Sequence, residues 1–180
     1  MGRIFGFALS SFFVLLLLTL KGFAENPQVK GNVPEPAKLC EFLVDVDGYS
    51  AGECDKMKAV GTPIGNLVKA EREYRQGDET ISVIVLNGIM AKSSWAPFAS
   101  NMEVDDDNNY VKITSINGYR CGINYEKKEK RGSIVIPLTD DIKNHPVSAI
   151  FAVNFENMSY KKAIDFIENF DLKSLVDLFQ

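Results

Sequence analysis

The run Ile81-Ser82-Val83-Ile84-Val85-Leu86 constrains this chain more than any other stretch. It is the densest β-branched segment outside the N-terminus. The polar Gln76-Gly77-Asp78-Glu79 separates it from Leu67 to Arg75, and a short Gly-containing loop between two extended runs predicts a β-hairpin. In the first strand Val68, Ala70, Arg72 and Tyr74 alternate with Lys69, Glu71, Glu73 and Arg75, so one face is mostly apolar and the other charged. Arg72 is the discordant residue on the apolar face. The second strand is apolar on both faces except at Ser82, which predicts cover on two sides or a place mid-sheet. Burying Ile81, Val83, Ile84 and Val85 contributes roughly 1.5–3 kcal/mol each before conformational entropy is subtracted. The hairpin is therefore expected to lie at the centre of a sheet.

The N-terminus has the three-part plan of a secretory signal. Arg3 precedes an apolar stretch, densest at Phe12 to Leu18, and Gly22 and Ala24 stand where a cut after Ala24 needs small residues. The alternative is an uncleaved membrane anchor over residues 4–20, at the lower edge of the roughly 17–25 residues that span a bilayer. Ser10, Ser11 and Thr19 weaken that span. Cleavage leaves one domain's worth of chain. The net charge of −4 becomes two charges more negative, because Arg3 and Lys21 leave and no acid does. An acidic domain argues against nucleic-acid binding, which needs a basic face.

Export to an oxidising compartment permits one disulfide among Cys40, Cys54 and Cys121. Cys54 lies in a polar loop and can reach either partner, so Cys40–Cys54, Cys54–Cys121 and no bridge all stay open. Cys121 alternates with Tyr119 and Ile123 like a buried strand residue. There is no Cys-x-x-Cys and one histidine, which supports neither a dithiol redox site nor a Cys/His zinc site.

Residues 25–34 read as a flexible lead-in. A helix is expected over Glu35 to Val44, with Leu39, Phe42 and Leu43 at helical spacing and Pro36 in the first turn. Any strand between Tyr49 and Pro63 is expected to be short, around Lys58 to Val60. After Asn87-Gly88, Ile89 to Asn101 reads as a short helix or lid broken by Pro97. Glu103 to Asn109 reads as a polar loop. Strands follow at Tyr110 to Ile116, Tyr119 to Glu126, Ser133 to Leu138 and Val147 to Phe155, with Asn117-Gly118 a strong two-residue hairpin signal. Tyr160, Ala163, Ile164 and Ile167 form a helical stripe, and Asp171 can cap a last turn carrying Leu172, Leu175, Val176 and Phe179. The fold class is α+β: a single antiparallel β-sheet of about five or six strands flanked by helices, over residues 35–180.

Catalytic and metal motifs are weak. Asp105, Asp107 and Asn109 have the spacing that opens an EF-hand loop, but Tyr110 stands where Gly is needed and Ile116 where the closing Glu belongs. His145 has no Gly-x-Ser-x-Gly elbow to serve. Lys127 to Arg131 reads as a solubilising turn. Trp95 and Phe98 are the candidate ligand-binding residues, since aromatics beside a sheet either line an apolar pocket or anchor a short helix. No catalytic residue, metal ligand or cofactor is expected.

The layout carries a resemblance. A secretion signal precedes a short helix ending at Gly48-Tyr49. An Arg72-Glu73-Tyr74-Arg75 strand enters an apolar one, a mid-chain helix leads to an antiparallel run, and an Asp171-Leu172-Lys173-Ser174-Leu175 helix closes the chain. From Lys38 to Phe179 this resembles small uncharacterised exported proteins of Gram-negative bacteria and is similar to the PsbP-like fold. That fold implies an accessory or binding subunit without a shared catalytic motif, and it assigns no functional residue here. The expected function is a non-catalytic accessory or protein-interaction module of the bacterial envelope, periplasmic or secreted. The alternative is binding of a small apolar ligand near Trp95, and an enzyme comes third.

Overall fold

The computed structural model describes residues 33–62, 65–144 and 148–180. The signal, the alternative anchor, most of the lead-in and His145 lie outside the described residues. In chain order the elements are α1 (Pro36–Cys40), β1 (Ser50–Ala51), β2 (Asp55–Thr62), β3 (Gly65–Gln76), β4 (Glu79–Asn87), α2 (Ile89–Trp95), β5 (Val104–Asp105), β6 (Asn109–Ile116), β7 (Tyr119–Glu126), β8 (Arg131–Pro137), β9 (Ala149–Glu156), α3 (Tyr160–Ile167) and α4 (Leu172–Asp177). A 3-10 turn, Ala96–Phe98, extends α2.

The β3–β4 hairpin forms as its alternation requires. The strands pair antiparallel from Lys69↔Leu86 to Gln76↔Glu79, which leaves Gly77-Asp78 as the turn. Val68, Ala70 and Tyr74 are buried on one face beside Ile81, Val83 and Val85. The hairpin is not the middle of the sheet, however. The sheet runs β1-β3-β4-β9-β8-β7-β6-β5, with β2 also on the outer edge of β3, and every pairing is antiparallel. Strand β9 joins the β2–β4 block to the β5–β8 block. Ala149 to Val153 are buried without interruption, as befits a strand covered on both faces.

The described residues form nine strands, against the five or six expected. The additions have physical causes. Strands β1 and β5 are two residues long, too short to show a period. Strand β2 pairs from Asp55↔Glu71 to Ala59↔Leu67, but it is an edge strand whose side chains are largely exposed, so no apolar alternation marks it. Asn117 and Gly118 turn with φ of 51° and 84°, both positive as a type I′ hairpin requires.

Helix α1 is shorter than its apolar spacing predicts. After Cys40 the chain continues with i→i+3 bonds, Phe42 N–H to Leu39 O and Leu43 N–H to Cys40 O. Two carbonyls that would extend the helix are turned toward the sheet: Arg72 Nη1 donates to Leu43 O at 2.6 Å and the Tyr74 hydroxyl to Val44 O at 2.9 Å. Arg72 also donates to Gly52 O at 2.8 Å and to Asp45 Oδ1 at 2.6 Å. The misfit arginine on the apolar face is thus the clasp of the loop after α1. Cys40 and Cys54 close the same loop as a disulfide, Cα to Cα 5.9 Å, and Cys121 stays a free, buried thiol.

Helices α1, α3 and α4 cover the first face of the sheet, where Phe166 packs edge-on against Tyr49 and Tyr74. Side chains cap the last two: Ser159 accepts from Lys162 N–H and Asp171 from Ser174 N–H. On the second face α2 and its 3-10 turn cover only one end, with Ala91, Trp95 and Phe98 packed on Leu67, Leu86, Val135 and Ile150. Among the described residues no helix is long and apolar enough to cross a membrane.

Candidate functional site

The uncovered half of the second face is where the register brings polar side chains together. Glu73 pairs with Ser82, Ser82 with Asn154, Asn154 with Ser133, and Ser133 with Asn124. One row therefore crosses five strands from β3 to β7. The next row outward is charged: Arg75 pairs with Thr80, Thr80 with Glu156, and Arg131 with Glu126. The two rows line one cleft of about 610 Å³. Asn124, Ser133 and Asn154 have no hydrogen-bond partner for their side chains among the described residues.

Both arginines of the cleft pair with carboxylates along its rim, and Glu156 stands outside these pairs. Arg75 Nε lies 2.5 Å from Glu73 Oε1, and Arg131 holds Glu126 Oε2 through Nε at 3.0 Å and Nη2 at 2.8 Å. Glu126 keeps the Arg131 guanidinium charged beyond its ordinary range. At the inner border, Lys69 and then Ser82, which donates to Glu71 Oε1 at 2.6 Å, hold the Glu71 carboxyl below the usual carboxylate range.

A second concavity adjoins α2. It measures about 540 Å³ and is lined by Trp95, Asn101, Tyr119, Arg120, Asp140 and Asp141, among others. Trp95 is 4% exposed and Phe98 2%. Their rings lie 5.4 Å apart, and the Arg120 guanidinium sits 5.4 Å over the indole while donating to Asn101 Oδ1 at 2.6 Å. The two sequence candidates are thus neighbours with different roles. Trp95 forms part of the wall, and Phe98 turns into the sheet. The Phe98 ring occupies the space that a side chain on Gly122 would take, with Cγ 2.3 Å from an ideal Cβ there. The mouth of this pocket is charged rather than apolar.

Of the remaining sequence candidates, His145 lies outside the described residues and the acidic loop is bonded locally. Asp106 accepts from the N–H groups of Asn108 and Asn109, both at 2.7 Å, which hold its carboxyl low, and Asp105 pairs with Lys127 at 2.6 Å. Among the described residues no three His, Cys, Asp or Glu side chains are placed to hold a metal ion. Burial pushes the Cys121 thiol up to about 11 and the Tyr74 hydroxyl up to about 12.

The polar row escapes sequence reading because each strand contributes one inconspicuous residue. Only the pairing of β9 with both β4 and β8 aligns them. No family model, curated protein or solved structure matches the chain. Its likeness therefore supplies no site, and geometry alone points to the cleft and to the pocket beside Trp95.

Proposed function

We propose that the protein is an exported, non-catalytic binding module of the bacterial envelope, with the open half of its second sheet face as the recognition surface. The observation that carries this reading is the polar row from Glu73 to Asn124. Among the described residues no helix covers this half of the second face, which presents the side chains of Asn124, Ser133 and Asn154 in a cleft. The resemblance of the sequence to the PsbP-like layout supports an accessory role. The signal-like residues 1–24 and the Cys40–Cys54 disulfide support the periplasm, an oxidising compartment.

A bulky side chain in the row tests the proposal. The wild-type protein is expected to cosediment with isolated envelope material, and Ser133→Trp to stay in the supernatant with an unchanged melting temperature. Equal sedimentation of the two proteins, or none by either, overturns it. The charged pocket beside Trp95 supports a second reading, in which the apolar ligand expected from sequence carries a polar end. Trp fluorescence titrated with fatty acids and with uncharged hydrocarbons of matched length tests that: quenching by neither removes it.

A further inference from the structure

We infer that the cleft takes an extended glycan strand lying across the sheet, perpendicular to the β-strands. This rests on the reading of that face as a binding surface. Neighbouring strands stand about 4.8 Å apart, so the row offers one hydrogen-bonding side chain at that interval over about 14 Å. Ser82, Asn154, Ser133 and Asn124 supply the successive groups. An extended β-linked hexose chain advances one ring over a comparable distance. An extended peptide advances about 3.3 Å per residue and falls out of step with the row.

The chemistry of the row selects the same class. Serine hydroxyls and asparagine amides both donate and accept, as sugar hydroxyls do. Along the rim, Arg75 and Arg131 are engaged by Glu73 and Glu126, and the Glu156 carboxylate stands beside the row as a two-pronged acceptor for hydroxyls. Three carboxylates, Glu73, Glu126 and Glu156, against Arg75 and Arg131 give a nearly balanced charge. A polyphosphate backbone, which needs a basic track, is thereby disfavoured. Phe155 borders the cleft but turns its ring into the core of the first face, 5.9 Å from Tyr125, so acyl chains find no apolar floor.

The disulfide-bonded protein titrated by calorimetry with β-1,4-linked N-acetylglucosamine and glucose tetramers, and with the corresponding dimers, tests the inference. At least one tetramer is expected to bind about tenfold more tightly than its dimer, because more of the row is engaged. Asn154→Ala is expected to weaken that tetramer about fivefold, the loss of one neutral hydrogen bond. Ser133→Trp is expected to abolish its binding. No heat with either tetramer, or binding indifferent to both substitutions, overturns the glycan assignment. Envelope material treated with a glycosidase or with a protease separates this failure from that of the parent reading. Capture lost after the glycosidase and kept after the protease supports a glycan. Capture lost only after the protease, and still blocked by Ser133→Trp, keeps the binding face but refutes the glycan. Capture indifferent to Ser133→Trp refutes both.

Discussion

Tyr74 and Cys121 show how single buried groups tie this fold to pH. Both are fully buried on the first face of the sheet, and both are neutral in the folded state. Burial raises the thiol from 9.0 to about 11 and the phenol from 10.0 to about 12. A raised folded-state value means that the native protein binds the proton more tightly than the unfolded chain. The contribution is complete below the unfolded value and is lost as pH rises through the folded one. Cys121 therefore begins to destabilise the fold above pH 9, and Tyr74 above pH 10. Between pH 8 and pH 10 the thiol alone costs about 1 kcal/mol. The urea midpoint is expected to fall over that interval in the wild type and to fall less in Cys121→Ala. Parallel pH profiles for the two proteins would show that the thiol carries none of the loss. Arg72 makes a related point about what a residue discloses. Its place on the apolar face is visible in the alternation, but its three acceptors, Leu43 O, Gly52 O and Asp45 Oδ1, come from a loop whose course the sequence leaves open.

At the scale of elements, the seat of α2 depends on a missing side chain. Gly122 faces the second side of β7, and the Phe98 ring lies where its Cβ would be. An alanine there must push the ring away, and with it the 3-10 turn that carries Phe98 and the neighbouring Trp95. Overpacking of this kind costs typically about 1–3 kcal/mol. Gly122→Ala is expected to lower the melting temperature and to red-shift Trp95 emission as the indole gains water. Gly118→Ala tests a different strain, because nothing lies within 4 Å of its Cβ position but its φ is +84°. It is expected to destabilise without moving the emission. Strands β3, β4, β7 and β9 and helices α3 and α4 were legible because alternation, a helical stripe and a capping Asp171 are local signals. Strand β2 was legible only as a short piece around Lys58 to Val60, since pairing to β3 orders all of Asp55–Thr62 without burying its side chains. The cleft was not legible for a similar reason: Ser82 and Asn154 become neighbours only through β4–β9 pairing, far apart in the chain. Trp95 was found from composition and Phe98 beside it, but the charged mouth comes from Arg120, Asp140 and Asp141 on other segments.

For the molecule as a whole, the first face is closed by a strap and the second is left open at one end. The strap is the loop between Cys40 and Cys54. Its covalent closure is reinforced by donors from a single strand, β3: Arg72 to Leu43, Asp45 and Gly52, Tyr74 to Val44, and Gln76 Nε2 to Gly48 O at 3.0 Å. In the chain-entropy account, opening a loop of this length costs about 3 kcal/mol. Removing the arginine costs about 1.5–3 kcal/mol on its own, as charge-assisted hydrogen bonds to a part-buried group do. The two losses are not expected to add. Without the disulfide the strap detaches more readily, and Arg72 then has fewer partners to lose. A cycle of Arg72→Ala, the paired Cys40→Ala and Cys54→Ala change, and the combination, read by urea midpoints, is expected to show a combined loss smaller than the sum. Strict additivity would mean that disulfide and arginine hold separate pieces of the loop. The cleft supplies the control. It lies on the opposite face, so cosedimentation of the disulfide-free protein with envelope material at 10 °C is expected to match that of the wild type, even where its melting temperature has fallen.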